Sequence, residues 1–198
     1  MPKIEVAYFL EDAAQERFVP PLVRRIAEKD DLEVSPRVYN ATGGKGPAIK
    51  EFERFLSDVK TGRLSLKERL LVVSVDGNCN GSHNVKKAIQ AVAKRSGVDI
   101  DPISAVPDPH IERWFLLDGP LLQRMWGCPL PILPKNKCDR DRYKQLLAES
   151  AAYVGSVFGG VEYGEDIAQK MDMDKAVGQH KDFKDFVHDT RTSLSQVE

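Results

Sequence analysis

Three acidic residues stand where apolar runs end or turn: Glu11 after Ile4–Leu10, Asp76 after Leu70–Val75, and Glu112 within Pro107-Asp108-Pro109-His110-Ile111-Glu112-Arg113-Trp114. A carboxylate just beyond an apolar strand sits on the rim of a sheet, where open α/β folds hold their ligands. Three oxygen-donor positions converging there suit a hard divalent cation, Mg²⁺ or Mn²⁺, which prefers carboxylates and retained waters. The chemistry this supports is metal-assisted attack on phosphate, with the cation activating water and offsetting oxyanion charge.

Each residue also has a plainer role to weigh. Glu11 could be a solvated carboxylate past a strand end, although a buried strand rarely ends in an acid by accident. Asp76 suits an Asx turn or the N-cap of a helix starting near Ser82, and this is compatible with metal ligation. The run Asp76-Gly77-Asn78-Cys79-Asn80-Gly81 opens like a calcium loop, but neither Lys87, at the twelfth position, nor the neighbouring Ala88 is the distal Glu it requires, which rejects an EF-hand. Glu112 suits a helix N-terminus after Pro109. His110 reads as a hydrogen-bonding neighbour, because a zinc centre needs several nitrogen or sulfur donors and Cys79, Cys128 and Cys138 are scattered.

Phosphate contacts have two further candidates. Thr42-Gly43-Gly44-Lys45-Gly46 lacks P-loop spacing, yet Gly44 can offer a backbone donor and Lys45 a counter-charge; a tight turn entering a helix competes. Lys135 and Lys137 lie on the proline-punctuated loop 127–137, which could present a lysine rigidly to phosphate. Trp114 shares helical spacing with Ile111 and Leu117 and reads as core; His180 and His188 read as surface residues.

The elements that must position these residues follow from periodicity. Residues 3–10, 32–39, 69–75 and 103–106 read as strands, the first apolar nearly throughout and therefore central. Pro36 suits the second to an edge. Helical spacing of apolar residues covers 14–29, 47–60 and 82–96, with Pro20 and Pro21 expected to make the start of the first helix irregular. The βαβαβαβ order predicts an α/β fold with an open, mostly parallel four-stranded sheet flanked by helices, the first and third strands adjacent. Two short helices over 109–126, broken near Gly119-Pro120, a helix at 139–154 and two weaker stretches at 163–171 and 175–189 complete the chain, with the last eight residues frayed. This divides into a domain over 1–150 and a helical C-terminal extension over 151–198.

Composition bounds the function. The chain has 198 residues, with 29 Lys plus Arg against 30 Asp plus Glu, so no global positive charge marks a strong unaided nucleic-acid binder. Three cysteines without a CxxC pair fit a reduced, cytoplasmic compartment. The N-terminus has no signal-peptide profile, and no apolar run approaches the length of a membrane helix.

The opening strand with Glu11, Asp76-x-Asn78, and the His110-Ile111-Glu112-Arg113-Trp114 segment together resemble the TOPRIM (topoisomerase–primase) domains. The likeness is to small stand-alone TOPRIM-like bacterial proteins akin to the nuclease domain of overcoming-lysogenization-defect (OLD) nucleases. Gly43-Gly44-Lys45 after the second strand and Ile111-Glu112-Arg113-Trp114-Phe115-Leu116-Leu117-Asp118 also match that group, and the resemblance covers residues 1–150. It implies a Mg²⁺-dependent nuclease with Glu11 as metal ligand or general acid–base, Asp76 and Asn78 holding the cation, Glu112 completing the site, and Lys135 or Lys137 on the scissile phosphate. The family's second third-strand carboxylate is the amide Asn78 here, and a frequent acid four positions after Glu11 is Gln15. Both changes remove negative charge and weaken the hold on a second metal.

Three functions therefore compete: a nuclease on nucleic-acid phosphodiesters, acting in phage defence as such relatives are thought to do; a module that no longer cleaves and binds a partner ATPase; and a metal-dependent enzyme on a small phosphorylated molecule. A calorimetric metal titration separates an intact site from a degraded one.

Overall fold

The computed structural model describes residues 1–41 and 48–196. Strands β1 (Lys3–Leu10), β2 (Glu33–Asn40), β3 (Leu70–Ser74) and β4 (Ile103–Ala105) alternate with helices α1 (Ala13–Glu28), α2 (Ala48–Lys60) and α3 (Ser82–Ser96). Six more α-helices follow among the described residues: α4 (Ile111–Phe115), α5 (Gly119–Trp126), α6 (Arg140–Ala151), α7 (Gly164–Lys170), α8 (Met173–Gln179) and α9 (Lys181–Leu194), with 3-10 turns at Ala152–Val154 and Val161–Tyr163.

The strands form one parallel sheet in the order β2-β1-β3-β4. From β1 the chain crosses through α1 to β2 on one side; from β3 it crosses through α3 to β4 on the other. The carboxyl ends of β1 and β3 therefore flank the switch point where connections diverge, the place open α/β sheets reserve for ligands. In register, Leu10 pairs with Ser74, so Glu11 and Asp76 emerge at the same edge.

Alternation along β1 feeds two cores. Val6, Tyr8 and Leu10 face α1 and the C-terminal helices, while Ala7 and Phe9 face α2 and α3 with Leu71, Val73 and Val75 of β3. Covering both faces is what makes these strands near-continuously apolar. Each fully buried Leu or Phe contributes about 1.5–3 kcal/mol relative to exposure. The C-terminal helices belong to the first core. Trp114 is wholly buried against Phe183 (5.2 Å, edge-on) and Phe186 (5.5 Å, stacked), and Phe18 of α1 lies 6.4 Å away.

Several sequence expectations need correction. Helix α1 runs unbroken through Pro20 and Pro21, which are buried against the core rather than disturbing its first turn; Asp12 caps that turn by accepting from Gln15 N–H at 3.0 Å. Residues 109–126 do hold two short helices broken beside Gly119-Pro120, at Leu116–Asp118, where Asp118 is an N-cap accepting from Leu121 N–H at 3.1 Å. Beyond Gly164 the described chain holds three helices rather than two, separated at Asp172, a cap for Lys175 N–H, and at the extended His180. The end is not frayed from residue 191, since α9 continues to Leu194, which is buried in the core.

Candidate functional site

Glu11 extends the β1–β3 ladder by one bond, donating its N–H to Ser74 O at 3.1 Å. Its side chain reaches across the strands: Glu11 Oε2 accepts from Asp76 N–H at 2.7 Å. Gln15, fully buried in the first turn of α1, joins the two stations by accepting from Glu11 N–H at 2.9 Å and donating Nε2–H to Asp76 Oδ1 at 3.2 Å. A carboxylate at position 15 could not make both bonds unless protonated, so the glutamine is matched to this geometry.

Asp76 is the hub. Its Oδ1 also accepts from Ile111 N–H at 3.1 Å, and its Oδ2 meets His110 Nδ1 at 2.7 Å, with side-chain exposures of only 11% and 6% for Asp76 and His110. An ionised Asp76 takes Nδ1 as donor and thereby fixes both ring and tautomer. His110 is thus a hydrogen-bonding neighbour of the acidic pair. Asp76 does not cap α3, whose N-cap is Gly81 with no side-chain bond.

Glu112, in the first turn of α4, lies on the third side. Its Oε1 is 3.9 Å from Lys144 Nζ on α6, and its Oε2 is buried with no hydrogen-bond partner. Burial raises the pKa of Glu112, with the Asp76 charge adding and Lys144 opposing. Burial likewise raises Glu11, its bond from Asp76 N–H opposes, and the charges of Asp76 and Asp12 add. Mutual repulsion among the acids is present, but removal from water is the larger cause.

The loop after Asp76 is clasped against residues 107–110. Gly77 N–H donates to Pro107 O at 2.7 Å and Asn78 N–H to Pro109 O at 2.9 Å. A Cβ at Gly77 would lie 2.6 Å from Asp108 Oδ1, so only glycine permits this approach. Asn78 and Cys79 both adopt left-handed backbone (φ +49° and +63°), and Asn78 Nδ2 donates to Asp76 O at 3.3 Å. Asn78 therefore shapes the turn through a donor that an Asp would lack. Asp108, 2% exposed at its side chain, accepts from Cys79 N–H at 2.9 Å and from Lys137 Nζ at 2.6 Å, and the bond to Asp108 is the chief reason the Lys137 pKa is raised.

Of the residues singled out by sequence, Glu11 and Asp76 are directly bonded, Glu112 adjoins through the Ile111–Asp76 contact, and Lys137 reaches the same neighbourhood through Asp108. Lys135 is exposed on the loop, and Gly44 and Lys45 lie outside the described residues. His180 is not a simple surface residue: it is half-buried and its Nδ1 meets Arg113 Nη2 at 2.8 Å, while His188 is exposed. Asp108, Lys144 and Asp182 were missed, and Gln15 was read only as a lost charge, not as the link between Glu11 and Asp76. Asp108 had a local signal, an acid held between two prolines two residues before His110. Asp182 had none.

A hard cation would meet carboxylate oxygens at a switch point, one of them orphaned, and two acids whose raised pKa values a nearby positive charge would relieve. Against this, both Asp76 oxygens are engaged by protein donors, and among the described residues no three His, Cys, Asp or Glu side chains converge as a ready metal-holding group. Cys79, Cys128 and Cys138 form no disulfide, and among the described residues no helix is long and apolar enough to cross a membrane. Compared with protein-family models, curated proteins and solved structures, the chain matches none of them.

Proposed function

We propose that this protein is a Mg²⁺- or Mn²⁺-dependent, TOPRIM-like phosphodiesterase acting on nucleic acid. The observation that carries this reading is the Asp76 N–H to Glu11 Oε2 bond of 2.7 Å, which holds the Glu11 carboxylate against the backbone of Asp76 at the switch point, with Glu112 and its orphaned oxygen on the helix that begins at Ile111, whose N–H is itself a donor to Asp76. Glu11, Asp76 and Glu112 would hold the cation, with Asn78 at the turn beside them. When bound, it supplies charge for the phosphate oxygens and an activated water.

The chain's own residues supply the rest. Burial brings Glu11 closer to neutrality than an ordinary carboxylate, the property a general acid–base requires. Asp76 fixes the His110 ring beside it. Lys137, 54% exposed at its side chain, keeps its ammonium at the site by bonding Asp108 and offers a cation to a phosphate.

A second reading, a non-cleaving module that works through a partner ATPase, is favoured by one feature: Asp76 already accepts from Gln15, Ile111 N–H and His110, and Gln15 and Asn78 are neutral. Metal-dependent melting and plasmid nicking, with wild type and Glu11→Gln in parallel, decide between the two. The enzyme reading expects Mn²⁺ at about 100 times its Kd to stabilise the fold by about 2.7 kcal/mol. It also expects Glu11→Gln to slow nicking by roughly 100-fold or more. No shift at millimolar Mn²⁺ with a folded protein would sink it in favour of the partner-binding module.

A further inference from the structure

We propose that Asp182, at the start of the last helix, is a positioning residue that holds His110 and Glu112 in place. The role of the site rests on the function proposed above; the positioning itself rests on geometry alone. Asp182 is the second residue of α9, and its side chain is 7% exposed. One oxygen, Oδ2, accepts from the backbone N–H of Asp108 at 3.2 Å, from Arg113 Nη1 at 3.0 Å and from Trp114 Nε1 at 3.1 Å. These donors bracket His110 and Glu112 in sequence, so a single carboxylate tethers the segment on both sides of them.

The tether is needed because the segment cannot hold itself. Helix α4 has five residues, too few for an independent helix in water. Arg113 closes the bracket: Nη1 also donates to Asp108 O at 2.7 Å, and Nη2 meets His180 Nδ1 at 2.8 Å. Burial, and then the Arg113 charge, push the His180 pKa down, so a neutral His180 accepts from the guanidinium. Asp182 is in turn anchored, since Phe183 and Phe186 pack on Trp114 and Asp189 pairs with Lys86 of α3. Charge-assisted bonds of this kind are short and directional, and removing the acid leaves Arg113, 14% exposed at its side chain, without its carboxylate partner. The bonds of Asp182 go to Asp108 N–H, Arg113 and Trp114, so it acts through the backbone and side chains of 108–114.

The test is Asp182→Asn in the full chain, with Arg113→Lys as a second variant in case the first fails to fold. Two readouts are taken: the ring ¹⁵N and ¹H resonances of His110, and Mn²⁺ affinity by calorimetry. The proposal expects the His110 ring signals to shift while the backbone amides of β1 and β3 stay put, and Mn²⁺ affinity to fall by roughly 10-fold or more, the scale for losing an outer-shell partner. A merely structural role for Asp182 would spread small changes through the core and leave the His110 ring in its wild-type environment. Unchanged His110 signals in a folded Asp182→Asn variant, or in Arg113→Lys if the first does not fold, would overturn the proposal. Should wild type bind no Mn²⁺, the proposed function fails, and the His110 signals alone still decide the role of Asp182.

Discussion

Glu112 carries a buried oxygen that meets no donor, and its pKa is raised chiefly by burial. A carboxyl whose folded pKa exceeds its unfolded value binds its proton more tightly when folded. Its favourable contribution is therefore complete below the unfolded pKa and is lost as pH rises through the raised folded one. Glu112→Gln has no such charge to develop. With metal chelated, this variant is expected to melt above wild type at pH 8, with the gap closing toward pH 4. Melting temperature against pH in EDTA measures it, and a gap that fails to widen with pH would contradict the buried-charge account. Glu11 follows the same sign, although its bond from Asp76 N–H offsets part of the penalty.

At the scale of elements, the C-terminal helices are part of what holds the site. Helix α9 contributes Phe183, Phe186, Val187 and Leu194 to the same core as Val6, Tyr8 and Leu10 of β1. It also carries Asp182, so its packing and the placement of 108–114 are one event. Phe183→Ala is expected to cost about 3–5 kcal/mol through lost burial and the cavity left against Trp114. For a chain of this size that lowers Tm by roughly 6–20 °C. Val157→Ser, at a residue 80% exposed, serves as the control and should leave Tm nearly unchanged. An equally small effect of Phe183→Ala would mean that α9 does not pack on the core in solution.

The whole molecule is close to electroneutral, with a net charge of −1. Nucleic-acid affinity gains most of its strength from neutralised phosphates and released counterions, so little of it is available to this chain alone. Unaided binding to a DNA duplex should be no tighter than a Kd of about 10⁻⁵ M at physiological salt, and should weaken further as salt rises. Fluorescence anisotropy across a salt series tests this. Tight, salt-insensitive binding would show that overall charge is a poor guide here and would point to base contacts instead.

The sequence by itself determined the alternation of strands and helices over the first hundred residues, the parallel α/β class, the central position of β1, and the meeting of Glu11 with Asp76. These follow from patterns local to each element: apolar runs of strand length, helical spacing between them, and an acid just past a strand end. What the tertiary structure decided is how the site is wired. Gln15 and Asp76 are 61 positions apart, and Asp108 and Asp182 are 74 apart. Asn78 reads from sequence as a weakened metal ligand, yet its amide bonds Asp76 O in a left-handed turn. Asp182 reads as one more charge on a polar helix, yet it organises a buried segment. Periodicity reports which face of an element is buried, whereas a hydrogen-bond partner is set by which elements pack together, and no local pattern encodes that.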